Sequence, residues 1–113
     1  MKQITAIIQP HMLEMVEHAL RELKHFPGYT VLRGQGESRG REPGHAHHAT
    51  EWGLGGHNHA VLIILSPDDL APLITETIKH HAHTGLPGDG LIVIAPIDEV
   101  VRIRTEERGD TAL

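Results

Sequence analysis

Apolar residues alternate with the rest from Lys2 to Ile8, with Ile4, Ala6 and Ile8 on one face and Thr5 and Ile7 on the other, the period of a strand that Pro10 ends. Met12, Leu13, Val16, Ala19, Leu20 and Leu23 then recur at helical spacing, and Glu14, Glu17, Arg21 and Lys24 fall opposite. Pro27-Gly28 is the expected stop, and Tyr29 to Leu32 the second strand. Between Gly34 and His59 the pattern lapses, and seven of the chain's twelve glycines lie there. Irregular segments longer than about 12–15 residues are uncommon in compact domains unless they serve a function or are disordered. Ala60 to Leu65 predicts a third strand, and Ser66-Pro67-Asp68-Asp69 a helix start with Ser66 as N-cap. Leu70, Leu73, Ile74 and Ile78 mark the second helix, closed by His80-His81-Ala82-His83-Thr84-Gly85 with Gly85 as a left-handed cap. Leu91 to Ala95 predicts a fourth strand, Val100 to Arg104 a short fifth, and residues 105–113 a polar tail.

The order strand, helix, strand, long loop, strand, helix, strand predicts an α+β fold of the ferredoxin-like βαββαβ plan, both helices covering one face of an antiparallel sheet. The other face carries apolar residues, Ile7 and Leu62 among them, which calls for neighbouring subunits. At 113 residues the chain fits one domain, 1–113. A net charge of −5 argues against nucleic acid as a partner. With no cysteine there is no disulfide, thiolate site or cysteine nucleophile. No signal-peptide pattern or membrane-spanning run is expected, so cytoplasmic location without membrane insertion is the simplest reading.

Two short segments carry candidate chemistry. Gly85, Gly88 and Gly90 around Asp89 let a backbone approach a phosphate and aim amide groups at it. Arg102 and Arg104, two apart on the expected fifth strand, would face one side and clamp an anion. Taken singly, the glycines also suit a plain tight turn and the arginines a solvated strand face. Together they point to phosphate. No nucleophile has a base at a recognisable spacing, so an enzyme is not expected.

Lys2–Ile8 with Pro10, then Ser66-Pro67-Asp68-Asp69-Leu70, Thr84-Gly85-Leu86-Pro87-Gly88-Asp89-Gly90 and Arg102-Ile103-Arg104-Thr105-Glu106-Glu107-Arg108-Gly109 together resemble the PII signal-transduction family. The resemblance implies a homotrimer that binds ADP, AMP or ATP in clefts between subunits. Gly85, Gly88, Asp89 and Gly90 would hold phosphates and ribose, Ile7, Gly34, Gly36 and Ile64 would line the base pocket, and Arg102 and Arg104 would reach the phosphates. Residues 37–58 would correspond to the family's T-loop, which docks onto transporters and enzymes. The chain departs from the family pattern in having Leu91 where a lysine is usual and Glu106 where a glycine is usual. Glu37-Ser38 replaces the basic residue and glutamine at the loop base, which counts against sensing of 2-oxoglutarate.

Eleven histidines are the other unusual feature. His45, His47, His48, His57 and His59 bracket the loop, and His-x-His spacing lets two imidazoles share one zinc, nickel or copper ion. They read equally as polar loop residues. His80 and His83, on one helix face, suit the negative end of the helix dipole, and His11, His18 and His25 form a surface stripe at intervals of seven. A bicarbonate ion near Ser38 and Arg39 is a further ligand the loop base would accept. The rival to a nucleotide-reading regulator is a trimeric metal-binding protein that has lost the nucleotide.

Overall fold

The computed structural model describes residues 1–37 and 57–113. Its regular elements are β1 (Lys2–Ile8), α1 (Leu13–Arg21), β2 (Thr30–Gly36), β3 (His57–Ser66), α2 (Ala71–Ala82) and β4 (Gly90–Pro96). The four strands form one antiparallel sheet in the order β2-β3-β1-β4, so β1 and β3 are central and β2 and β4 are the edges. This is the expected α+β, ferredoxin-like arrangement.

Register explains the core. Ile4 pairs with Ile64, Ala6 with Leu62 and Ile8 with Ala60, which puts all six on one face. Leu13, Val16 and Leu20 from α1 and Ala71, Ile74, Ile78 and Ala82 from α2 close over that face, and these thirteen residues form one buried cluster. Each large aliphatic side chain so buried contributes about 1.5–3 kcal/mol. On the other face Thr5 pairs with Ile63 and Val93, and Ile7 with Val61 and Leu91. Leu32, Leu65, Leu91 and Val93 are exposed there.

Several element boundaries differ from expectation. α1 stops at Arg21 well before Pro27, since the amide of Glu22 already turns back to Ala19 and Leu20 and His25 takes a left-handed φ of 61°. That removes His25 from a helical stripe with His11 and His18. Ser66 does not cap α2: it is the buried last residue of β3, its hydroxyl donates to the Pro67 carbonyl, and four residues of turn separate it from Ala71. Leu62 belongs to the covered face, not the open one, because its partner is Ala6. Val100 to Arg104 is a tight turn and not a fifth strand: Glu106 N–H donates to the Arg102 carbonyl at 2.8 Å, Arg102 N–H donates to the Glu107 carbonyl at 2.9 Å, and a single bridge joins Val101 to Arg108. β2 and β3 also run further than the apolar pattern, pairing Gly34 with His59, Gln35 with Asn58 and Gly36 with His57. The segment between the strands is correspondingly shorter than Gly34 to His59.

Candidate functional site

α2 ends at Ala82, and the chain takes one tight turn, residues 84–90, before entering β4. Asp89 organises it. Its carboxylate accepts hydrogen bonds from the amides of Thr84 (2.8 Å) and Gly85 (3.0 Å) and from the Thr84 hydroxyl, while the Leu86 amide donates to that hydroxyl at 3.1 Å. Gly85, Gly88 and Gly90 all have positive φ, at 84°, 91° and 104°. The turn is also fastened to β1: Gln9 Nε2 donates to the Gly88 carbonyl at 2.8 Å, and Gly90 lies so close to β1 that a Cβ on it would stand 1.8 Å from the Ile7 carbonyl oxygen. Gly90 is therefore required for contact and conformation alike.

These contacts revise how the glycines serve an anion. The amides of Thr84, Gly85 and Leu86 are already occupied, so among the described residues those of Gly88 and Asp89 are the ones without an internal partner in the turn. Burial pushes the Asp89 carboxyl up, but the Thr84 hydroxyl and the two amides, helped by nearby His83, outweigh that and hold it below the usual carboxylate value.

Arg102 and Arg104 lie elsewhere. Their turn faces a cleft of about 630 Å³ that also meets Tyr29, Thr30, Ile63, Leu65, Ala112 and Leu113. Arg102 Nε donates to the Ala112 carbonyl at 2.8 Å, which fixes its guanidinium against the C-terminal 3-10 helix Gly109–Ala112. The cleft lies toward the Lys2 end of β1, where the Ile97 amide bonds the Met1 carbonyl, and the glycine turn lies at the Ile8 end. Ile63 and Leu65 in the cleft stand opposite Thr5 and Gln3, whereas Gly90 stands opposite Ile8, three to five residues further along β1, roughly 10–17 Å at about 3.3 Å per residue. One subunit therefore does not bring the glycines and the arginines together.

The remaining expected site residues fall in three places. Ile7 is half-buried on the open face and Gly34 sits across from His59, beside a cleft of about 380 Å³ formed with Pro10, Arg33, Gln35 and Asn58. Gly36 packs under the His59 ring, which a Cβ would approach to 3.4 Å. Ile64 is fully buried under the helices, on the face opposite Ile7, and does not line a pocket with it. His45, His47 and His48, with Ser38 and Arg39, lie outside the described residues. Among the described residues no three histidine, aspartate or glutamate side chains gather as a metal site.

A family model described as nitrogen regulatory protein P-II matches residues 1–107. The chain belongs to the P-II family. Curated P-II proteins named nitrogen regulatory protein P-II are 38% identical in Azospirillum brasilense and 36% identical in Rhizobium meliloti, each alignment covering all of both chains. Nitrogen regulatory protein P-II 1 of Escherichia coli K12 is 36% identical over the same full extent. A P-II protein is a signal-transducing regulator, not an enzyme. No described helix is long and apolar enough to cross a membrane.

Sequence reasoning did not find Thr84 and Gln9, which hold the P-II glycine turn in shape. A threonine five residues before an aspartate across a glycine run was the available signal for the first. Gln9 had none, because its bond to Gly88 spans 79 positions.

Proposed function

We propose that the chain reads adenine nucleotides, ADP, AMP or ATP, in clefts between the subunits of a homotrimer. The observation that carries this is that the glycine turn and the cleft of Arg102 and Arg104 are set apart along β1. Two walls of one phosphate site set apart in this way meet only when a second copy brings its arginines to the first copy's turn. The open sheet face, with Leu32, Leu91 and Val93 about half exposed, supplies the apolar surface for that association. Residues 37–58, emerging from the β2–β3 ribbon, report the bound state to a partner, a membrane transporter or an enzyme, in the cytoplasm.

A mixing experiment tests the shared cleft. Arg104→Ala removes one wall and Gly88→Ala the other, so each pure variant should lose ADP binding in calorimetry. Unfolding the two together and refolding should restore a fraction of the sites, because some clefts then combine two intact walls. Light scattering should report three chains per particle. No recovery in the mixture, or a monomer that binds ADP, would sink the proposal.

A second reading comes from the sequence: His57 and His59 are two apart on β3, and His45, His47 and His48, outside the described residues, would join them around zinc, nickel or copper. Titrating these metals with and without saturating ADP, before and after changing the five histidines to alanine, separates a linked metal site from an independent one. Bicarbonate at Ser38 and Arg39 is tested by the same calorimetry.

A further inference from the structure

The charges around residues 84–90 are poorly matched to a phosphate. Asp89 places a carboxylate inside the turn, and Leu91, which follows it, is uncharged and exposed. An anion approaching the Gly88 and Asp89 amides meets this carboxylate unless a cation offsets it.

α2 provides the cations within reach. A cleft of about 370 Å³ beside the turn is lined by Lys79 and His83 together with Asp89, Gly90 and Leu91. Lys79 is engaged with Glu76 one helical turn earlier, at 2.8 Å. His83 is placed differently. The helix stops at this residue, whose backbone is extended (φ −72°, ψ 126°), so the side chain leaves the helix and lies along the turn. Its Nδ1 is 3.6 Å from Asp89 Oδ2, and its Nε2 is 3.9 Å from the point a Cβ would occupy on Gly85. The ring thus spans from the carboxylate to the glycine wall, with 71% of the side chain still open to solvent. When protonated it offsets Asp89 through Nδ1 and offers Nε2–H to an anion seated on the turn.

We propose that His83 is an anion-binding residue of the glycine turn, supplying in its protonated form the positive charge that position 91 lacks. This rests on the nucleotide reading of the turn and adds a dependence to it: affinity for a phosphate-bearing ligand follows the charge on one imidazole. The charged and titratable groups that line the cleft with the ring are Asp89 from the turn and Lys79 from α2. β1 and β4 contribute only Ile8, Gly90, Leu91 and Ile92 to the cleft.

The test is calorimetric titration of ADP into the full chain, into His83→Gln and into His83→Arg, each at about pH 6 and about pH 8. ADP's own phosphate also protonates near pH 6, equally for all three proteins, so the comparison between proteins is the readout. Lowering the pH should tighten binding to the unaltered chain, relative to His83→Gln, by about three- to tenfold, the effect of one charge at contact distance. His83→Arg should bind at both pH values at least as tightly as the unaltered chain does at the lower one. A His83→Gln protein with unaltered affinity and pH slope would overturn the role of His83 while leaving nucleotide binding in place. Absence of ADP binding by the unaltered chain at both pH values would overturn the nucleotide reading, and this inference with it.

Discussion

The Thr84 amide donates to Asp89 Oδ2 at 2.8 Å, and the Thr84 hydroxyl donates to the other oxygen of the same carboxylate. The shape of the turn thus depends on an ionised side chain. Asp89 titrates below the usual carboxylate value in the folded protein, so its stabilisation is fully present above the unfolded value of about 3.9 and is lost as pH falls through the lower folded value. Asp89→Asn should therefore flatten the acid limb of the stability profile, measured by urea unfolding from about pH 6 downward. Asp89→Ala should cost about 1.5–3 kcal/mol at neutral pH, the scale for hydrogen bonds to a charged group. A variant as stable as the parent would show that the turn holds without its carboxylate.

Gly90 and Gly34 should respond in opposite ways to the same substitution. A methyl group at position 90 meets the Ile7 carbonyl at 1.8 Å with φ at 104°, so Gly90→Ala should cost about 3 kcal/mol or more, or fail to fold. Nothing lies within 4 Å of a Cβ at Gly34. Gly34→Ala should keep stability within about 0.5 kcal/mol and, if this strand borders the base pocket, weaken ADP binding. Denaturant curves paired with calorimetry separate the two effects.

Glu106 holds a left-handed φ of 65° in the turn closed by Arg102. A side chain there carries a strain of about 1–3 kcal/mol that glycine avoids, offset in part by glycine's larger unfolded entropy. Glu106→Gly should raise stability by about 0.5–1 kcal/mol, read as a shift in urea midpoint with no change in slope. A lower midpoint would mean that the Glu106 side chain contributes more than its backbone costs.

Tyr29 is the single tyrosine, so its titration is directly visible by absorbance. Its hydroxyl donates to Glu17 and accepts from Arg21 Nη2 at 2.8 Å, tying the entry of β2 to α1. The bond to Glu17 is the main reason its pKa is raised, with burial and the Glu17 charge adding to it. The absorbance midpoint should lie above the ordinary value of about 10. Glu17→Gln should move it back toward that value, and an unmoved midpoint would exclude Glu17 as the cause.

The sheet and its core were legible because the apolar residues Ile4, Ala6 and Ile8 recur at every second position of β1 and so share a face whatever their partners. Glycines 85, 88 and 90 were legible for a related reason: left-handed φ values leave few other residues to choose from. What failed to show was everything decided by backbone pairing or by distant parts of the chain. Arg33-Gly34-Gln35-Gly36 has no strand pattern, yet it pairs with residues 57–60 through main-chain groups. Val100 to Arg104 has the alternation of a strand, but the Arg102 amide and carbonyl find their partners inside a turn, and Val101 and Ile103 are exposed. Ser66 has the composition of a cap, and only the position of Ala71 shows that the helix begins too late to use it. The remoteness of Arg102 from Asp89 is likewise invisible without the register of β1.

The uncovered sheet face sets a race in the life of a newly made chain. With Leu32, Leu91 and Val93 in water and β2 and β4 each paired on one side only, a lone subunit resembles the sticky intermediates that aggregate at micromolar concentrations. Productive association and indiscriminate clumping draw on the same surface, and both speed up as chains become more crowded. Recovery of native protein from denaturant should accordingly pass through an optimum concentration, falling off on the dilute side for want of partners and on the concentrated side through precipitation.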